Sequence, residues 1–173
     1  MWHKLVFPFI LVASIGALAL AFFTEYVLGF PPCKLCLYQR LPFVGLIKLS
    51  LCGIFAPKLR GTWTLFTVMT ILIAIAISGY HTGVERGVFE ASDRCNPDIQ
   101  MPDSLSASDI RDMLYAKSVA TCTKPPFKVL MLSMTEWNLL FNIGLLVIVL
   151  LSHFGHRYET EEDAKLIESS KVT

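Results

Sequence analysis

Four stretches of this chain are long and apolar enough to cross a lipid bilayer, and they leave little else for it to be. The first runs from Leu5 to Phe23, nineteen residues without a charge, which at 1.5 Å per residue reaches across roughly 30 Å of hydrocarbon. The second, 36–56, is interrupted by Arg40 and Lys48. The third, 63–80, and the fourth, 137–152, carry no charge, and each opens on a tryptophan suited to the headgroup layer. Hydrophobic residues make up 54% of the chain and charged ones 17%, with a mean hydropathy of +0.56. A soluble fold of 173 residues cannot hide that much apolar surface, so lipid must be its outer solvent. The expected fold is all-α, an integral membrane four-helix bundle with a long loop between helices 3 and 4. Lys4 and the small-residue triplet Ala19-Leu20-Ala21 would also suit a cleavable leader, but the first run has the length of a permanent span.

Positive charge orients the bundle. Lys58 and Arg60 lie between spans two and three, Lys4 precedes span one and Arg157 follows span four, whereas 24–32 has no Lys or Arg. Both termini are therefore expected in the cytoplasm, with loops 24–35 and 81–136 facing out. Six Lys or Arg in 81–136 do not reverse this, because long loops translocate largely regardless of charge. Pro97, Pro102, Pro125 and Pro126 divide that loop. Within it, Ser106 and Asp109 mark a helix start, and Ile110, Met113 and Leu114 share one face. Glu159, Glu161, Glu162, Asp163, Lys165 and Lys171 make 155–173 a charged tail, expected to be solvated or disordered. With 15 basic against 14 acidic residues and no basic stripe, nucleic-acid binding is disfavoured.

Five cysteines carry the chemistry. Cys52 lies inside the second span, where a small thiol is usually a packing residue. The other four fall on one side of the membrane as two pairs. Cys33-Lys34-Leu35-Cys36 enters span two behind Pro31-Pro32, where the positive end of the helix dipole favours thiolate. A bridge closing so small a ring restrains the unfolded chain little, so redox or metal chemistry explains it better than stability does. Cys95 and Cys122 stand 27 positions apart. They suit a structural staple, worth about 3–4 kcal/mol in loop-closure entropy, or a second dithiol exchanging with the first by thiolate attack.

Arg40 sits one turn beyond Cys36 on the same helical face. A guanidinium cannot shed its proton, so inside a span it either snorkels or meets an anion, here a thiolate or a reduced oxygen-bearing acceptor. Lys48, deeper, is read as snorkelling to the cytoplasm. His81, Glu85 and Arg86 follow the third span at the level of the C-x-x-C. They form either an interfacial hydrogen-bonded cluster or a device for binding an acceptor and moving protons.

Pro31-Pro32-Cys33-Lys34-Leu35-Cys36-Leu37-Tyr38-Gln39-Arg40, the segment from Tyr80 through Glu85, the Cys95/Cys122 loop and the run from Ser133 to Asn138 together resemble the bacterial disulfide bond formation protein B (DsbB) family. The resemblance covers everything but the tail. It implies an inner-membrane enzyme that re-oxidises a periplasmic DsbA-type dithiol oxidase and passes two electrons to a membrane quinone, ubiquinone or menaquinone. By the same resemblance Cys95 and Cys122 form the loop disulfide that meets DsbA. Cys95 takes the mixed disulfide, Cys122 is released towards the C-x-x-C, and Cys33 and Cys36 are re-oxidised by quinone with Cys36 nearest the ring. Arg40 would assist the quinone and His81 would lie near it, with Glu85 or His81 lining a proton path. No metal is needed, since the hard step belongs to the quinone. Three rivals share parts of the pattern. A vitamin K epoxide reductase-like enzyme has its loop pair before the C-x-x-C rather than after it. A tetraspanin-like organiser lacks a use for the C-x-x-C and carries a Cys-Cys-Gly signature absent here. A metal transporter could ligate through Cys33, Cys36 and His81, but disulfides hold no metal.

Overall fold

The computed structural model describes residues 2–90, 95, 121–123 and 128–171, with backbone alone at 2–4, 128 and 156–171. Helix α1 spans Trp2–Tyr26, α2 Lys34–Phe55, α3 Arg60–Glu85 and α4 Met134–Lys171. One 3-10 turn, Pro57–Leu59, joins α2 to α3, and strands β1 (Lys128–Val129) and β2 (Leu132–Ser133) form an antiparallel hairpin before α4. Helix α1 packs on α2, α2 on α3, α3 on α4, and α4 closes back on α1. Apolar helices of membrane length cover Leu5–Tyr26, Lys34–Phe55, Pro57–Glu85 and Met134–Gly155.

The bundle has an apolar centre and an apolar exterior. Ile10, Phe43, Leu46, Ile71, Leu145 and Val149 form the buried centre, while Val12, Leu41, Leu65, Ile73 and Leu151 point outward, exposed. Such an apolar exterior is what lipid requires. Small residues set the helix spacing. A Cβ on Gly53 would come within 2.5 Å of the Phe7 ring, so α1 and α2 approach there only because position 53 lacks one. Ser14, Ser50, Thr67 and Ser78 are likewise fully buried.

Helices α1, α3 and α4 run beyond both ends of the expected spans, because polar residues at their ends still close backbone hydrogen bonds, whereas α2 starts two residues earlier than expected and stops at Phe55. For α3 this matters. It continues through His81 and Glu85, so the connection expected from position 81 starts at Arg86. Ser133 and Glu136 start α4 as a reciprocal cap: Ser133 N donates to Glu136 Oε2 at 2.8 Å and Glu136 N to Ser133 Oγ at 3.2 Å. Two expectations are corrected. The charged tail does not unravel but continues α4 as helix to Lys171, since its Glu, Lys and Ala residues are good helix formers. Cys52 is exposed on the outer face of α2, not packed inside. The proposed 106–114 helix lies outside the described residues.

Candidate functional site

The start of α2 gathers sulfur. A helix N-terminus leaves several backbone N–H groups without partners, and here two of them meet cysteines. Cys33 caps α2 in an extended conformation and its Sγ accepts from Cys36 N at 3.2 Å. The backbone of Leu35 hydrogen-bonds to Cys122. Cys33 Sγ lies 2.6 Å from Cys36 Sγ, within reach of a bond. Cys33, Cys95 and Cys122 are buried together with Leu35 and Val84, and Cys36 packs against them. Cys122 N donates to Cys95 O at 3.3 Å, and the Cys122 side chain hydrogen-bonds to those of Cys95 and Cys33. Cys33 Sγ, Cys122 Sγ and a ring nitrogen of His81 all lie within 4.8 Å of one another. The four cysteines that the sequence divided into two pairs thus form one cluster.

Burial and pairing outweigh the helix dipole for two of these thiols. The hydrogen bond with Cys36, then burial, holds the Cys33 thiol well above the ordinary range. Burial, then the hydrogen bond with Cys95, pushes Cys122 up to about 11. The dipole argument from sequence expected the Cys33 thiol to ionise readily. It is overridden because Cys33 is desolvated and shares its proton with a second sulfur.

Beneath the sulfurs lies a buried polar network. His81 Nε2 is 3.6 Å from Cys33 Sγ and 3.7 Å from Glu85 Oε1, while Gln39 Nε2 lies 3.0 Å from His81 Nδ1. Glu85 accepts from Thr135 Oγ1 at 2.7 Å and from Ser133 Oγ at 2.5 Å. Asn138 Nδ2 donates to Gln39 Oε1 at 3.1 Å. Arg86, by contrast, turns away and donates through Nε to Glu136 Oε1 at 2.8 Å. The Cys33, His81 and Cys122 atoms have a spacing that a soft cation could bridge, though thiols that oxidise to disulfides release such an ion.

Arg40 does meet an anion, and it is one the sequence reading passed over. Its Nη1 donates to Glu25 Oε2 at 2.6 Å, and the guanidinium lies 5.0 Å from the Phe22 ring centroid. A lone carboxylate at the polar end of an otherwise uncharged span was the available signal. Gln39, Asn138 and Thr135 were also missed, since single amides and hydroxyls carry no pattern. Cys36, Arg40, Gln39, His81 and Glu85 all line one cavity of about 820 Å³, walled by Ala13, Ala17, Leu20, Phe30, Phe43 and Phe141. That is the size and character of a site for an apolar small molecule with a few polar groups.

The family model for disulfide bond formation protein DsbB matches residues 3–152. The chain belongs to the DsbB family. It is 29% identical over 136 residues to disulfide bond formation protein B of Cupriavidus necator, covering 78% of this chain and 83% of that one. A protein of the same name from Xanthomonas campestris pv. campestris is 28% identical over 154 residues, 84% and 87% of the two chains. An uncharacterized protein of Rickettsia prowazekii is 39% identical over 147 residues, 85% and 86%. As a DsbB family member the chain is a membrane protein of disulfide bond formation, which sets aside the tetraspanin-like, vitamin K epoxide reductase-like and transporter readings.

Proposed function

We propose that this DsbB family protein re-oxidises a DsbA-like dithiol oxidase outside the inner membrane and passes the two electrons to a membrane quinone. In this reading both termini are cytoplasmic and the cysteine end of the bundle faces the periplasm. One observation carries it: Cys122 Sγ, from the long loop, lies within 4.8 Å of Cys33 Sγ, at the start of α2.

Sulfur exchange follows from that contact. A partner thiolate attacks Cys95 of a Cys95–Cys122 bond, and the electron pair of the broken bond leaves on Cys122. Cys122 attacks Cys33, the Cys33–Cys36 bond breaks, and the pair passes to Cys36. The partner's second thiolate then releases Cys95, which attacks Cys122 and frees Cys33, so that Cys33 and Cys36 are both reduced, the Cys95–Cys122 bond is restored and the partner leaves oxidised; each step makes one S–S bond and breaks another. Of the two C-x-x-C sulfurs, Cys33 is buried and faces Cys122, while Cys36 is half-buried. Attack on Cys33 therefore delivers charge to Cys36, and both sulfurs of the C-x-x-C line the cavity.

The cavity suits a quinone: its walls are apolar, and the Arg40 guanidinium stands at its edge. When bound there, a quinone would accept the two electrons held by the Cys33/Cys36 pair. Arg40, fixed by Glu25, would hold a cation beside the acceptor's oxygen, and the Ala13, Ala17 and Phe43 walls would exclude water.

Purified protein mixed with a reduced DsbA-type oxidase and a soluble quinone tests the reading by the fall in quinone absorbance. Turnover should require Cys33, Cys36, Cys95 and Cys122 and survive Cys52→Ala. Arg40→Ala should slow quinone use more than thiol exchange. Full turnover by Cys33→Ala would overturn the relay.

A further inference from the structure

A row of amides crosses the bundle from α4 to α2 and ends on His81. Its first contact is to a backbone carbonyl, which can only accept: Asn142 Nδ2 donates to Asn138 O at 2.8 Å. That fixes which way the Asn142 amide faces. The same Nδ2 lies 3.1 Å from Asn138 Oδ1, which must accept in turn. With its oxygen so committed, Asn138 donates through Nδ2 to Gln39 Oε1 at 3.1 Å. Gln39 then has its Nε2 to offer His81 Nδ1, at 3.0 Å. An imidazole that accepts at Nδ1 carries its hydrogen on Nε2.

The surroundings of the ring agree. Thr135 Oγ1 also approaches Nδ1, at 3.4 Å, but gives its hydrogen to Glu85 at 2.7 Å, and the shorter Gln39 contact decides. Nε2 faces acceptors: Cys33 Sγ at 3.6 Å and Glu85 Oε1 at 3.7 Å. His81 is 1% exposed, and Gln39 points a hydrogen at Nδ1, so a second proton there would meet a donor head-on.

We propose that Gln39, Asn138 and Asn142 are positioning residues that lock the tautomer of His81, so that Nε2–H is donated to the Cys33 sulfur whenever that sulfur leaves a disulfide. The relay proposed above supplies the step. Cys95 thiolate attacks Cys122 in a Cys33–Cys122 bond, a Cys95–Cys122 bond forms, and the electron pair departs on Cys33. His81 gives up no proton. It donates a hydrogen bond to the negative sulfur, as a neutral imidazole can to any developing anion, and a stabilised leaving thiolate leaves faster.

The row can be reversed without touching His81 or any cysteine. In Asn138→Asp the carboxylate only accepts, so Gln39 must turn its Nε2 to Asp and its Oε1 to His81, drawing the hydrogen to Nδ1. Ring ¹⁵N spectra of histidine-labelled protein in micelles, with the His81 signals identified by their loss in His81→Gln, read this directly. The wild-type ring should be protonated at Nε2 and the Asn138→Asp ring at Nδ1. A Cys36→Ala/Cys95→Ala background traps the Cys33–Cys122 bond, and dithiothreitol opens it with neither partner protein nor quinone present. Opening should slow roughly tenfold to a hundredfold with Asn138→Asp, and similarly with Gln39→Met, which keeps the shape of the side chain but cannot donate. A wild-type ring protonated at Nδ1, or a tautomer switch without a change in opening rate, would overturn the lock while leaving the relay intact. If the trapped bond never forms, the relay falls and the lock's role falls with it.

Discussion

The proton on Cys122 makes the sulfur cluster accessible to a direct measurement. Burial, then the hydrogen bond with Cys95, pushes the thiol up to about 11. At pH 7.5 roughly one such thiol in three thousand is ionised, against roughly one in eleven at an ordinary value near 8.5. A more basic thiolate is also a better nucleophile, with a Brønsted slope of about 0.4–0.5, which returns about tenfold to twentyfold. The net effect is alkylation about fifteenfold to thirtyfold slower than for an ordinary thiol, before any hindrance from burial. Hindrance does not alter the shape of the pH profile, so the profile is the sharper test. In fully reduced protein, with peptides resolved by mass spectrometry, alkylation of Cys122 should rise nearly tenfold per pH unit from 7 to 10 and level only near 11. Cys95→Ser should lower the plateau, though not to the ordinary value, because burial is the larger cause. The same shift fixes the pH dependence of stability. The folded thiol holds its proton more tightly than the unfolded one, so the reduced fold is most stable below about 8.5 and weakens as pH climbs towards 11. A plateau for Cys122 at pH 9 or below would refute the reasoning. The consequence for exchange is that Cys122 works as a thiolate just released from a disulfide, beside Cys33, and not as a resting thiol that ionises first.

Other perturbations follow from the packing. Glu25→Ala strands the Arg40 guanidinium and should cost about 2–4 kcal/mol, somewhat less than breaking a fully buried pair. Thermal unfolding in micelles measures it, and adding Arg40→Ala should cost less than the sum of the two single changes. Gly53→Ala drives a methyl into the Phe7 ring and should destabilise by about 1–3 kcal/mol. Gly83→Ala meets only the half-exposed Phe89 ring, which can swing aside, so the same unfolding assay should show a smaller loss. Glu136→Ala removes one arm of the α4 cap and the partner of Arg86, and should lower stability by about 1 kcal/mol. Cys52→Ala, on the outer face of α2, should change stability by no more than about 0.5 kcal/mol.

What the sequence determined by itself was whatever depends on neighbours along the chain. Hydropathy summed over a window places the four spans, because any span must satisfy its backbone within itself and offer apolar side chains to lipid. Two residues between two cysteines, just behind Pro31-Pro32, place a dithiol at a helix start, and His81 and Glu85 share a face by helical period alone. Which faces of different helices meet is another matter, because it turns on how each helix is rotated about its axis, and an apolar run is almost uniform around that axis. That rotation turns Cys52 outward, brings Glu25 to Arg40, and sets Gln39 between Asn138 and His81. The return of the loop at Cys122 onto Cys33 is equally a matter of tertiary packing, so that side-chain hydrogen bonds and burial rather than the helix dipole govern their thiols. Desolvation and side-chain hydrogen bonds act over a few ångströms in space, and those distances exist only once the helices have packed.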